Sequence, residues 1–503
     1  MVFSTALFLT IFLPFVLVVS WSLRWLGQHV ARFRGRPASW RSVNGFILLA
    51  SLGFYFWGEG QWVGWLIASV LFNAGAAQLV AMRETPRWRK AWLSVAVVAN
   101  LLLLGWFKYA GFMARSLNVF PGVDLPIPEV ALPLGISFYT FQAMSYVWDV
   151  YRRETAPAES LIDFACYVTM FPQLVAGPIV RYVDIAKQLG NRRVDLEGVA
   201  SGFRRFLCGL AKKAIVANTV ALMADAVWGV VEGGGGVSVS LAWIGLICYA
   251  LQIYYDFSGY SDMAIGMGRM LGFTFKENFL HPYCASSVRE FWRRWHISLS
   301  TWFRDYVYIP LGGNRKGRFR AGVNALIVFG LCGLWHGASA MFVLWGLWHG
   351  LFLMIERFIP QRRINPLRSE GVLTRVLAMG VGMVYTTFVV LMGWVLFRSA
   401  SLSDAGLMLR SLAGVVDVSR EARVLWLELN PKLIVVLAAG CVFSLPVVPW
   451  LRGRMWAWFS ERRTSIVPVL VYVGEWMVLS VLGVVSMLFI AGGSYNPFLY
   501  FRF

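Results

Sequence analysis

Residues 321–356 read AGVNALIVFGLCGLWHGASAMFVLWGLWHGLFLMIE, and their pattern decides the class of the chain. Two apolar runs of helix length flank the weak spot Gly337-Ala338-Ser339. They lack the polar/apolar alternation of outer-membrane strands, so they are expected to be two membrane-crossing helices. Arg357, Arg362 and Arg363 close the stretch, as expected on the inner side of a span. One pentapeptide occurs in it twice, as Gly333-Leu334-Trp335-His336-Gly337 and Gly346-Leu347-Trp348-His349-Gly350. Histidine is costly in lipid unless it faces protein or water, so both copies supply a candidate functional residue.

Composition extends this reading to all 503 residues. The chain is 58% hydrophobic and 14% charged, with a mean hydropathy of +0.62, whereas a soluble domain carries about 25% charged residues. We expect an all-α polytopic membrane protein built as one module over residues 1–503. Roughly ten to twelve spans of ~20 residues, with re-entrant and interfacial helices, fit its length. The formal charge of +20 sits in short clusters between apolar runs, among them Arg24 to Arg41, Arg83 to Lys90 and Arg452 to Arg463. That distribution is the positive-inside pattern and not a nucleic-acid surface. No Lys or Arg precedes the first apolar run, which argues against a cleaved signal and places the N-terminus outside; following the spans and basic clusters along the chain places the C-terminus outside too. The six cysteines are scattered without C-x-x-C spacing, so neither disulfides nor a metal site is expected.

Along the chain, residues 43–58 and 62–82 read as two spans joined by a short turn. The apolar segment 161–180 carries Pro172 and Pro178, which predicts a broken span or a re-entrant hairpin packed against protein. Residues 199–215 mix Arg204, Arg205, Lys212 and Lys213 with apolar positions and read as an interfacial helix. Asp404, Asp417, Glu421 and Glu428 mark an acidic outward loop.

Four elements carry potential chemistry. From Glu290 to Asp305, helical spacing places Phe291, Trp295 and Trp302 on one face and Glu290, Arg294 and Arg304 on the other, with His296 near the seam. This is either an in-plane helix snorkelling its arginines or a segment offering Arg293, Arg294 and Arg304 to a phosphorylated ligand. The turn Leu311 to Arg318 lacks a P-loop arrangement, but Arg315 and Lys316 suit phosphates. His336 and His349 would lie about 20 Å apart on one continuous helix, too far for a single centre unless the chain breaks between them. Asp256 and Asp262, beside an apolar span, need cationic or N–H partners, or else line a proton path. No G-x-S-x-G elbow, zinc-protease motif or dinucleotide fingerprint occurs.

Together these residues resemble the membrane-bound O-acyltransferase superfamily, in the bacterial branch that serves alginate O-acetylation. The resemblance runs through Met1 to Ser4, Leu132 to Tyr139, Ala176-Gly177-Pro178, Asp256 to Asp262, Glu290 to Arg304, Leu311 to Gly317 and Gly333 to Gly337. It implies a helical bundle around a funnel or tunnel, with the superfamily's invariant histidine at His336 and a second functional histidine at His296. His349 becomes a structural copy, and Trp335, Asp256 and Asp262 structural or relay residues. Many members pair the histidine with an upstream asparagine, where this branch has Arg293 or Arg294. Implied too are acetyl-CoA as cytosolic donor, docked on Arg293, Arg294, Arg304, Arg315 or Lys316, and no metal. The implied partners are a periplasmic SGNH-type polysaccharide acetyltransferase, an exopolysaccharide synthesis complex and the inner-membrane bilayer. His336 would act as general base or transient acyl acceptor, with His296 assisting. The alternatives are cellulose or another polymer as acceptor, D-alanyl transfer to teichoic acid, or a proton-coupled transporter using the aspartates and histidines as relay.

Overall fold

A computed structural model describes residues 3–35, 38–175, 177–359, 372–461 and 467–493. Met1 and Val2 of the opening tetrapeptide, Arg36, Ala176, Arg362, Arg363, Arg462 and Arg463 lie outside the described residues. Those residues form helices and no strand; one isolated bridge joins Gly236 and Val418. Nine helices among them are long and apolar enough to cross a membrane, or ten if the pair 420–428 and 431–444, bent by 79°, forms one span. The shortfall from the expected number has two physical sources. Residues 41–82 count as one 42-residue stretch, although Gly60, at φ 56° and ψ −125°, divides it into two helices of span length. Residues 136–152 are only 17 long and are buried almost all round.

The chain forms two compact units, Met1–Phe206 with Tyr260–Lys276, and Leu207–Gly259 with Glu277–Phe503. In the first unit, α1 (Leu13–Phe33), α2 (Arg41–Glu59), α3 (Val63–Met82) and α4 (Pro86–Leu117) precede the buried α5 (Ile136–Arg152). Asn73 and Asn100 exchange amide hydrogen bonds of 3.2 and 2.8 Å between α3 and α4, which satisfies two buried polar side chains. Gly135 begins α5 at φ 73°, and a Cβ there would lie 2.6 Å from the Leu174 carbonyl oxygen, so only glycine fits. The expected break in 161–180 is present: α6 (Leu161–Thr169) stops at Met170 and α7 (Phe171–Leu174) follows. Next come α8 (Tyr182–Gly190) and α9 (Leu196–Ala211).

Residues 199–215, expected to form an interfacial helix, fall on α9 and the turn that follows it. Helix α9 continues through a π-turn at Lys212–Ala217 into α10 (Asn218–Glu232), a 37-residue stretch apolar enough to span. Two of its charges, Arg205 and Lys213, are ion-paired. In the first unit Arg205 donates to Asp262 of α11 (Val239–Met270) at 2.7 Å. A Cβ on Gly202 would lie 2.6 Å from the Gly266 carbonyl oxygen, so the backbones meet closely. The second unit repeats the arrangement: a Cβ on Gly259 would lie 2.7 Å from the Gly209 carbonyl oxygen, and Lys213 Nζ pairs with Asp256 Oδ1.

The second unit also contains α12 (Val288–Arg294), α13 (Ile297–Phe303), α14 (Gly317–His336), α15 (Ala340–Phe358) and α16 (Val372–Arg398). The single helix expected across 290–305 is instead broken at Trp295-His296. Ser287 caps α12 by accepting from the Glu290 N–H at 3.1 Å. Buried Glu356 of α15 accepts from the Val288 and Arg289 N–H groups at 2.6 and 3.1 Å, fixing the same helix start.

Candidate active site

His296 begins α13 in the left-handed conformation, at φ 44°, with its side chain fully buried. A non-glycine residue rarely adopts this region, and here the tertiary surroundings hold it. The preceding strap, residues 278–281, lies along the break: Ile297 N–H donates to the Asn278 carbonyl and Leu280 N–H to the Arg294 carbonyl, both at 2.9 Å. Asn278 Oδ1 accepts from Ser298 N–H at 3.1 Å and Ser298 O–H at 2.9 Å, and lies 3.2 Å from His296 Nδ1. An atom that accepts a backbone N–H is the amide oxygen, so the imidazole must be the donor. Burial first, and then the neighbouring imidazole of His336, hold this ring well below the ordinary histidine value. It is neutral near pH 7.

Aromatic rings connect the three pentapeptide-region histidines. Phe257 meets His296 edge-on at 4.6 Å between ring centres. Trp335 stands 6.1 Å from His296 and 4.9 Å from His336. Trp345 stands 5.1 Å from His336 and 5.3 Å from His349. The chain breaks where expected: α14 ends at His336, Gly337 is extended, and Ser339 caps α15 by accepting from the Met341 N–H. The hairpin thus brings His336 and His349 against one indole, which a continuous helix forbids.

The glycines of the repeat explain the hairpin. A Cβ on Gly333 would lie 2.1 Å from the Phe342 carbonyl oxygen, and one on Gly346 would lie 2.0 Å from that of Phe329. Each pentapeptide lets the other helix approach, as small residues do between membrane helices. His349 is fully buried among Phe291, Trp292 and Trp345. Neither of its ring nitrogens has a hydrogen-bond partner among the described residues.

The cationic candidates separate into two groups. Arg294 reaches Glu290 at 2.6 Å and the Leu280 carbonyl at 3.2 Å, so it braces the strap. Burial raises the Glu290 carboxyl, but hydrogen bonds from Ser286 and Arg294 outweigh it and leave the group below its ordinary value. Arg304 pairs with Asp305 at 2.7 Å. Arg293, Arg315 and Lys316 are exposed. The Gly-rich turn is held by Asn324, whose amide donates to the Leu311 and Gly313 carbonyls at 3.3 and 3.2 Å. Asp256 and Asp262 are ion-paired as described. Sequence reasoning missed Asn278 and Glu356. The asparagine that meets a histidine lies eighteen residues before His296, and not at position 293 or 294.

Comparison with known proteins places this arrangement. Residues 158–397, which include all the candidate side chains named above, match the membrane-bound O-acyltransferase (MBOAT) family. A probable alginate O-acetylase (AlgI) of Pseudomonas putida is 38% identical, with 100% of both chains covered. The chain belongs to the membrane-bound O-acyltransferase family. A peptidoglycan O-acetyltransferase of Helicobacter pylori is 30% identical over 100% of this chain and 98% of that one. A teichoic acid D-alanyltransferase of Bacillus subtilis is 23% identical over 59% of this chain and 80% of its own. This acyltransferase is a multi-pass membrane protein whose buried histidines lie in the second unit and within the matched region.

Proposed function

We propose that this acyltransferase moves acetyl groups from cytosolic acetyl-CoA across the bacterial inner membrane, for O-acetylation of a secreted exopolysaccharide such as alginate. The observation that carries the reading is the sequence of rings His296, Trp335 and His336, with both imidazoles buried in a chain of an acyl-transferring family. Full-length similarity to a probable alginate O-acetylase supports acetyl as the group and alginate as the polymer. Exposed Arg293, Arg315 and Lys316 suit the donor's phosphates. Arg294 and Arg304 already hold carboxylates, which makes them secondary contacts.

His336 serves as general base or transient acyl acceptor, and His296 assists. In the base role an imidazole takes the proton of the acceptor hydroxyl while its oxygen bonds to the acetyl carbon. The carbon–sulfur bond breaks, and the thiolate leaves with the proton returned by the imidazolium. The site is built without a metal in this reading. A periplasmic SGNH-type acetyltransferase and an exopolysaccharide synthesis complex then deliver the group, and both termini face the periplasm. The 30% identical peptidoglycan O-acetyltransferase favours a second reading in which another polymer takes the acetyl group.

The test is the O-acetyl ester content of polymer secreted by cells expressing wild type, His336→Ala or His349→Ala at matched membrane levels. Loss with His336→Ala and retention with His349→Ala is expected. Normal ester content in His336→Ala overturns the assignment. Altered export with unchanged acetylation points to transport instead.

A further inference from the structure

We infer that Asn278 is a positioning residue of the site: its amide oxygen fixes His296 in the Nδ1–H tautomer and thereby presents Nε2 as a proton acceptor. The inference rests on the acyl-transfer reading only for its consequence; the tautomer itself follows from the geometry. Asn278 is fully buried, and one oxygen gathers His296 Nδ1–H, Ser298 N–H and Ser298 O–H. Ser298 Oγ also lies 3.5 Å from His296 Nδ1, but its shorter contact, 2.9 Å, is to Asn278 Oδ1, so the imidazole nitrogen is left to donate to an oxygen that has no proton to give.

The surrounding chain is arranged to keep that oxygen in place. The Asn278 backbone carbonyl accepts from Ile297 N–H, so side chain and main chain of one residue bridge both sides of the helix break. Arg294 ties the strap a second time through the Leu280 carbonyl. The left-handed backbone at His296 turns its ring toward this acceptor, where the straight helix read from the sequence would aim it elsewhere. A base oriented by a third group through its other nitrogen is the arrangement that nucleophilic and general-base sites require. Phe257, Phe279 and Trp335 pack on the ring and carry no charge. His336 is a titratable group that acts on it.

The first measurement is 15N NMR of the full chain labelled at histidine and held in lipid, with the His296 signals identified as those lost in His296→Gln. Wild type is expected to show a protonated Nδ1 and an unprotonated Nε2 near pH 7. Asn278→Leu is expected to shift the ring toward the Nε2–H form. A wild-type Nε2–H ring, or an unchanged ring in a folded Asn278→Leu protein, overturns the inference.

The second measurement is the pH dependence of ester formation in membrane vesicles supplied with labelled acetyl-CoA. Asn278→Asp keeps the acceptor but adds a negative charge beside Nδ1–H, which stabilises the imidazolium. The acid limb should therefore move to higher pH, while activity at the alkaline end survives. Asn278→Leu should lose roughly 100-fold, within what a general base supplies. An acid limb unmoved in Asn278→Asp means that Asn278 only braces the strap, and the inference fails. The two readings fail separately: full activity in both His296→Gln and His336→Ala sinks the proposed function, whatever the tautomer.

Discussion

Lys213 Nζ lies 2.6 Å from Asp256 Oδ1, and both side chains are 2% exposed. Two opposite charges buried together tolerate joint replacement far better than loss of one partner. Lys213→Met alone should therefore cost about 3–5 kcal/mol, because it leaves an uncompensated carboxylate. Lys213→Met with Asp256→Leu should recover most of that loss. Thermal unfolding in detergent measures both. Equal destabilisation in the single and double variants would show that the pair has no such coupling.

The pentapeptide glycines make a sharper steric prediction. Gly333→Ala and Gly346→Ala each push a methyl group to about van der Waals overlap with a carbonyl of the facing helix. Overpacking of this kind costs about 1–3 kcal/mol or more. Gly330→Ala, whose new Cβ would lie 3.5 Å from Leu347 Cδ2, is the matched control and should be near neutral. Folded protein recovered from membranes ranks the three, and a Gly333→Ala variant as stable as Gly330→Ala would refute the crossing geometry.

His349 allows packing to be separated from chemistry. A buried imidazole without hydrogen bonds among the described residues gives up solvation with no return. His349→Leu has similar bulk and should leave stability and ester formation within about threefold of wild type. A hundredfold loss of ester formation in a stable His349→Leu protein would move this residue into the catalytic machinery.

Glu290 supplies a pH dependence with a definite sign. Its folded value lies below the ordinary one of 4.5. The stability it contributes is therefore complete above the unfolded value and is lost as pH falls through the lower folded value. Glu290→Gln should flatten the acid side of the stability curve, scanned by thermal unfolding from about pH 6 to about pH 3. A variant that keeps the full acid-side slope would assign that slope to other groups.

The membrane class, the helix break at Gly337–Ser339 and the broken segment near Met170 were legible because they depend on local composition and on breaker residues. The break at His296 was not. Phe291, Trp295 and Trp302 keep helical spacing across it, and the force that bends the chain comes from Asn278, outside the window. The partners of two charges on α9 and its π-turn were not legible for the same reason. Arg205 and Lys213 look solvent-seeking until Asp262 and Asp256, some fifty residues on, are placed beside them. Glu356 carries no local signal at all, since an acid at the end of an apolar run is ordinary until its carboxylate is seen on the start of α12.

The antiparallel meeting of Gly333 and Gly346 also bears on how this region is aligned with relatives. The two pentapeptides run in opposite directions along one seam, so their histidines meet the same Trp345 indole without occupying equivalent places. An alignment guided by the motif alone can slip by the thirteen residues between His336 and His349 and still match five letters. What distinguishes the copies is shape: His336 ends its helix before an extended Gly337, whereas His349 sits inside one. Transfer of a role between sequences should follow that helix end.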